Sequence, residues 1–278
     1  MEYQILALDL DGTLTNSKKE ISRPTLEALI DIQEQGKKVV LASGRPTKGV
    51  LPLAKQLHLE DYGSYILSFN GARITDCRSM QAIYNKTLPG DIVEPLLQIL
   101  RKYDGLDILS YTADNILSGI KPNKYTELES RINHMPIIET DDFAASIKEP
   151  ANKFLVTGEP EIIAKAQKEV TDYFRSYLYI YCSDPFFLEI MPPQVDKAHS
   201  LLKLLSSIGL TSDQMICCGD GYNDITMIET AGLGVAMANA QPLVRERADY
   251  ITNPTTMMAC YMLLMNFAVG IRLKYFLK

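Results

Sequence analysis

Gln4-Ile5-Leu6-Ala7-Leu8-Asp9-Leu10-Asp11-Gly12-Thr13-Leu14 is the stretch on which the fold turns. Its first half is β-rich and has too few polar positions for a sheet that is wet on one side, so it reads as a central strand covered on both faces. Two aspartates follow where that strand ends. Side groups that bind ligands in open α/β sheets gather outside the carboxyl ends of strands, which puts Asp9 and Asp11 where a site is expected. Positions i and i+2 of an extended segment share a face, so the two carboxylates would stand close enough to share a cation or to divide acid and nucleophile roles. A solvated acidic turn closed by Gly12 is the competing reading.

Outward from this strand, Ser22-Arg-Pro-Thr predicts a helix start with an N-cap and an early proline, Leu26, Leu29, Ile30 and Ile32 give it an apolar face, and Gly36 ends it. Lys38-Val-Val-Leu-Ala-Ser reads as a second buried strand, a helix follows Pro46, and Tyr65-Ile-Leu-Ser-Phe gives a third strand. The order β-α-β-α-β argues for a parallel sheet with right-handed crossovers. From about residue 85 the texture changes to a helix and paired runs turning at Asp114-Asn115, which imply antiparallel strands. After Pro192-Pro193 the opening pattern returns, with strands predicted over residues 214–218 and 234–237. The expected architecture is α/β: a Rossmann-like doubly wound parallel-sheet core from residues 1–84 and 191–278, with an α+β domain inserted over residues 85–190.

The 278 residues suit roughly two domains at about 150 residues each. With 46% hydrophobic and 22% charged residues the chain is an ordinary globular sequence, which excludes disulfide miniproteins, disorder and collagen-like repeats. Twenty-eight basic against 34 acidic residues leave a net charge of −6, so nothing draws nucleic acid or an anionic membrane, and an anionic substrate must be met by local cations or a metal. Five cysteines, an odd number with Cys217 and Cys218 adjacent, and an opening Met-Glu-Tyr-Gln without a basic leader point to the cytoplasm. Residues 257–269 are almost wholly apolar but fall short of the about 20 needed to span a bilayer, and are expected to form a buried helix or a subunit contact. The expected assembly is a monomer or a weak homo-oligomer.

Gly219-Asp220-Gly-Tyr-Asn223-Asp224 brings two more carboxylates to another strand end. Four acids so placed suit a hard cation such as Mg2+, which takes oxygen ligands. Ala42-Ser43-Gly44-Arg45 ends the second strand, where a hydroxyl and free N–H groups could hold phosphate. Lys197 opens the helix after the inserted block, a position where lysines are commonly just solvated. The three tyrosines Tyr177, Tyr179 and Tyr181 would share one face of a strand. His58, His134 and His199 are scattered, and neither a phosphate loop nor a Cys-x-x-Cys pair occurs.

Taken in order, Asp9-Leu-Asp-Gly-Thr-Leu, Ala42-Ser-Gly-Arg, Phe69-Asn70-Gly-Ala, Lys197, Gly219-Asp-Gly-Tyr-Asn-Asp and Gly234-Val-Ala-Met-Ala-Asn-Ala resemble the haloacid dehalogenase-like phosphohydrolases, specifically the Cof-type subfamily with a type IIB cap. The resemblance implies an Mg2+-dependent phosphatase acting on small phosphorylated metabolites, sugar phosphates above all. By it, Asp9 is the nucleophile that forms an aspartyl-phosphate, and Asp11 protonates the leaving oxygen and then activates water. Mg2+ would be held by Asp9, the Asp11 carbonyl and Asp220, with Asp224 as ligand or in support. The backbone near Leu10, Ser43, Gly44, Lys197 and Asn223 would hold phosphate, and Asn70 would contact substrate. A phosphomutase of the same superfamily and a non-catalytic phosphate-binding module are the alternatives; ATP-driven transporters differ in carrying Lys-Thr after the aspartate. Three positions depart from the family pattern: Ala198 replaces the glycine after the lysine, Pro192-Pro-Gln-Val-Asp lacks a glycine, and Thr255-Thr-Met-Met-Ala replaces an acidic-Gly-Val segment.

Overall fold

The computed structural model describes residues 2–252. The expected apolar helix over residues 257–269, Cys260 and the Thr255 departure lie outside them. The chain divides into two compact units. Among the described residues, one comprises residues 2–44, Val50–Tyr84 and residues 196–252, and the other comprises Arg45–Gly49 and Asn85–Val195.

Five strands come first: β1 (Ile5–Leu8), β2 (Lys38–Ala42), β3 (Tyr65–Ser68), β4 (Arg73–Asp76) and β5 (Ala82–Asn85). The second unit adds β6 (Asp107–Tyr111), β7 (Ile116–Ser118), β8 (Ile137–Glu139), β9 (Phe154–Thr157), β10 (Tyr179–Asp184) and β11 (Phe187–Met191). The chain then returns with β12 (Met215–Gly219), β13 (Leu233–Ala236) and β14 (Tyr250–Ile251). The first sheet has eight strands in the order β14-β13-β12-β1-β2-β3-β4-β5. From β14 to β3 every neighbouring pair is parallel.

The opening strand sits mid-sheet, Leu6 lying beside Val39 on one side and Ile216 on the other. Alternation sends Leu6 and Leu8 to one layer with Leu29, Ile32 and Val235, and Ile5 and Ala7 to the opposite layer with Leu201, Leu204 and Met227. Each such aliphatic side chain gains about 1.5–3 kcal/mol on burial, which is why a strand with no polar position is stable only in the middle. Ser22 caps the helix Arg23–Glu34, and Gly36 takes φ +83° beyond it.

The sheet is not wholly parallel. β4 runs antiparallel to β3 because Phe69–Gly71 makes a tight turn, far shorter than the dozen or so residues a parallel crossover needs. This antiparallel pair departs from the parallel order expected of the core.

The second unit has a six-stranded sheet ordered β10-β11-β9-β6-β7-β8. Its pairs are antiparallel except β7 with β8, which are joined through the helix Lys124–Asn133. Ile108, Phe154, Val156, Leu188 and Ile190 face helices Val93–Leu100 and Pro160–Phe174. The tyrosine strand is shorter than expected: it begins at Tyr179, and Tyr177 belongs to the preceding 3-10 turn. Tyr179 and Tyr181 alone share a strand face, with ring centroids 4.8 Å apart. Among the described residues no helix is long and apolar enough to cross a membrane.

Candidate active site

β1 delivers Asp9 and β12 delivers Asp220, and the two ends are tied by the Asp9 N–H donating to the Cys218 carbonyl at 3.0 Å. The chain then turns back on itself, because the Leu10 carbonyl accepts from the N–H groups of Thr13, Leu14 and Thr15. Gly12 makes that turn at φ +96°, and a Cβ there would stand 2.3 Å from Asp220 Oδ2. Both the dihedral and the approach therefore require glycine. The same turn swings Thr13 Oγ1 to within 2.8 Å of Asp220 Oδ1, to which it donates. Asn239 donates to the Gly12 carbonyl at 3.0 Å and holds the turn from the other side.

Asp224 folds back beneath this pair. Its Oδ2 accepts the N–H groups of Asp220 at 3.0 Å and Gly221 at 2.9 Å, while its Oδ1 lies 2.6 Å from Lys197 Nζ. Lys197, whose side chain is 0% exposed, reaches Asp9 Oδ1 at 2.7 Å as well. The competing reading of Lys197 as a solvated helix-start lysine does not hold: Asp196 caps the helix, and Lys197 points inward to neutralise two buried carboxylates.

Burial, the Asp224 charge and that of Asp220 push the Asp9 carboxyl up to about 8 against the pull of Lys197. Asp220 is pushed up to about 6, by burial first, with the Thr13 hydrogen bond opposing and Asp224 adding to the rise. Burial works against the Lys197 ammonium, but Asp224 and Asp9 outweigh it and hold the amine above its usual range. One cation among three acids leaves the cluster short of positive charge.

Carboxylate oxygens of Asp9, Asp220 and Asp224 lie within 4.8 Å of one another. Three hard oxygen donors, two of them with raised proton affinity, fit a small divalent cation. Asp224 already spends both oxygens on Lys197 and two backbone N–H groups, so Asp9 and Asp220 are the better placed donors.

Asp11 does not join them. β1 ends at Leu8 and the chain turns about the Leu10 carbonyl, so extended backbone does not run through residue 11, and the Asp11 carboxylate pairs with Lys19 at 2.7 Å. Ser43 is buried at the end of β2, its N–H donating to Leu67 and its carbonyl accepting from Asn70. Phe69 and Asn70 both take positive φ, 52° and 51°, which aims the Asn70 amide at Asn223, whose Nδ2 donates to Asn70 Oδ1 at 3.0 Å. A Cβ on Gly44 would meet the Asn70 amide at 3.1 Å, so Gly44, Asn70 and Asn223 form a second group. Thr13 and Asn239, whose tasks no sequence signal marks, brace Asp220 and Gly12.

The missing glycine before the lysine has a structural trace. Gln194 occupies left-handed backbone at φ +57°. An L side chain there costs about 1–2 kcal/mol, offset in part by the greater freedom glycine would have in the unfolded chain. Gln194→Gly should therefore stabilise the protein by about 0.5–1 kcal/mol, read as a Tm higher by about 1–4 °C in calorimetry. Ala198 is accommodated as a buried residue of the helix Lys197–Ser207.

Residues 6–262 match the family model described as haloacid dehalogenase-like hydrolase. A Streptococcus pyogenes protein that is named provisionally as a phosphatase is 31% identical over 253 residues, covering 91% of this chain and 93% of its own. The 5-amino-6-(5-phospho-D-ribitylamino)uracil phosphatase YcsE of Bacillus subtilis is 29% identical over 253 residues, 91% of each chain. The crystal structure of a haloacid dehalogenase-like hydrolase from Bacteroides thetaiotaomicron superposes with TM-score 0.91 at 42% identity, covering 95% of this chain and 99% of that one. With the acids and the lysine gathered at the strand ends of the matched region, this chain belongs to the haloacid dehalogenase-like hydrolase family.

Proposed function

We propose that the protein is an Mg2+-dependent phosphatase of small phosphorylated metabolites, sugar phosphates in particular, working through an aspartyl-phosphate on Asp9. One observation carries this: a fully buried ammonium, Lys197, held 2.7 Å from an aspartate at the end of the central strand. Lys197 keeps the attacking carboxylate oriented and offers positive charge to an incoming phosphate.

Asp9 forms an O–P bond as the ester P–O bond breaks, and Asp11 gives its proton to the departing oxygen. Asp11 then takes a proton from water, whose oxygen attacks phosphorus and frees Asp9 and inorganic phosphate. Mg2+, held by Asp9, Asp220 and the Asp11 carbonyl, would supply the charge that offsets repulsion between the acids and a phosphate dianion. Ser43, Gly44, Asn223 and the backbone near Leu10 would bind phosphate oxygens, Asn70 would contact the substrate, and residues 85–190 would act as a cap that selects the leaving group. The substrate of YcsE, a phosphorylated ribityl compound by its name, supports a polyol phosphate. The test is phosphate release from a panel of phosphate esters with Mg2+ and with excess EDTA. Turnover that survives the chelator undiminished would end the metal proposal.

The raised carboxyls set a sign for pH. Asp9 at about 8 and Asp220 at about 6 stand above the 3.8 of a free aspartate, so the metal-free folded protein retains protons that the unfolded chain gives up. Their contribution to stability is greatest near pH 4 and is lost as pH rises through 6 and 8. A cation must displace those protons. The Tm of the metal-free protein should fall between about pH 5.5 and 8.5, and the rise on adding Mg2+ should be larger at the upper value. A larger Mg2+ effect at the acidic end would contradict the assignment of Asp9 and Asp220 as its donors.

A further inference from the structure

One face of the sheet in the second unit is lined by Ile108, Phe154, Val156, Leu188 and Ile190. On the other, Tyr111, Lys153 and Glu189 continue the alternation of Leu109, Leu155 and Phe187. Lys153 Nζ and Glu189 Oε2 lie 2.9 Å apart, with side chains 3% and 7% exposed. Glu129, buried on the helix Lys124–Asn133, accepts from the Tyr111 hydroxyl at 2.7 Å, and Lys153 Nζ stands 5.4 Å from the Tyr111 ring centroid. β10 slips register between Cys182 and Asp184, and Ser183, exposed in that bulge, donates to Glu189 Oε1 at 2.9 Å. A bulge re-aims one side chain, here onto a buried carboxylate. Two carboxyl groups thus share one ammonium within the network.

Buried lysine and glutamate are rare, and a buried pair adds little stability over apolar residues of the same volume. The place of the network suits another task, because it lies where the chain enters and leaves the unit. Asn152, beside Lys153, donates to Asn85 Oδ1 at 2.7 Å and to the Lys86 carbonyl at 2.8 Å, and Met191 closes β11 two residues after Glu189. Asn133 Nδ2 donates to the Glu129 carbonyl at 2.9 Å, and a Cβ on Gly49, six residues beyond Ser43, would stand 2.3 Å from Asn133 Oδ1. We propose that Glu189, with Ser183 set against it, is a specificity-determining residue that favours a neutral polyhydroxylated leaving group over one carrying a second anion. The proposal rests on the reading of residues 85–190 as the cap that selects the leaving group. Sugar or polyol hydroxyls bring donors to a network rich in acceptors, whereas a carboxylate or second phosphate meets like charge. The site already resists negative charge: burial pushes the Glu129 carboxyl up, with Lys153 and Tyr111 opposing and Glu189 adding to the rise. A further anion would be opposed by the same burial and the same Glu189 charge.

The experiment compares kcat/KM for sorbitol 6-phosphate and 6-phosphogluconate, open-chain esters of equal length that differ at the far end in a hydroxymethyl group against a carboxylate. Phosphate release from p-nitrophenyl phosphate, which has no hydroxyls, is measured beside them. The wild-type protein should favour sorbitol 6-phosphate by about tenfold or more. Glu189→Gln should reduce that preference to about threefold or less, because the Lys153 ammonium then faces the carboxylate without its partner. Ser183 is exposed, so Ser183→Lys should fold as the wild type does while setting an ammonium beside Glu189, and it should lower the preference similarly. If the wild type hydrolyses none of the three esters with Mg2+, the phosphatase reading fails and this inference with it. If p-nitrophenyl phosphate is hydrolysed but neither polyol ester is, or the wild type shows no preference between them, the inference alone is overturned. A preference that both variants leave unchanged overturns it as well.

Discussion

Asp9→Asn is expected to release no phosphate above background from any ester and to yield no phosphoenzyme on acid quench. An amide oxygen cannot attack phosphorus in place of the carboxylate, and loss of a nucleophile costs about 10⁴-fold or more. The fold should survive, because the amide oxygen can still accept from Lys197 and the opening strand is untouched. Burial and Asp224 disfavour a charged carboxylate at position 9, so a neutral amide there should leave Tm equal or higher at pH 8. Loss of activity together with a preserved or raised Tm separates chemistry from folding. A variant that retains about a hundredth of wild-type turnover would place the nucleophile elsewhere.

Lys197→Met should damage both. Removing the ammonium leaves Asp9 and Asp224 buried without their counter-charge, and breaking a buried pair in this way costs about 3–5 kcal/mol. The first unit should unfold about 6–20 °C lower, and turnover should fall by about 10³-fold through lost transition-state charge. The stability deficit should narrow near pH 5, where the Asp9 carboxyl is protonated, and widen toward pH 8. Combining Lys197→Met with Asp9→Asn should recover part of the stability while remaining inactive, since one buried charge fewer is left unpaired. A double variant whose loss equals the sum of the two single ones would show that the ammonium acts by packing and not by charge.

These expectations draw on features of unequal visibility in the sequence. The run Ile5–Leu8 is apolar at every position, and such a run can only be central, so the sheet and the place of Asp9 were legible. Gly219-Asp-Gly likewise marks a strand end. The burial of Lys197 was not legible, because its local context is that of any lysine at a helix start, and its partner Asp9 lies 188 residues away. The pairing of the Asp11 carboxylate with Lys19 was not legible, because strand alternation ends at the turn around the Leu10 carbonyl. β5 escaped notice since its four residues, Ala82–Asn85, are mostly exposed and show no alternation to read.

The central strand β1 precedes its neighbour β12 by about 200 residues, which has a consequence during synthesis. At about 5–20 residues per second, the 188 residues from Asp9 to Lys197 take about 10–40 s to emerge from the ribosome. Throughout that interval β1 lacks one of its two flanking partners, and its aspartate lacks its cation. The second unit is one continuous segment, Asn85–Val195, plus the five residues Arg45–Gly49, and so can complete its own sheet while β1 still waits for β12. Nascent chains arrested shortly before Met215 should accordingly expose an apolar sheet edge to chaperones, and Asp9, made long before Lys197, would be among the last residues to meet its partner.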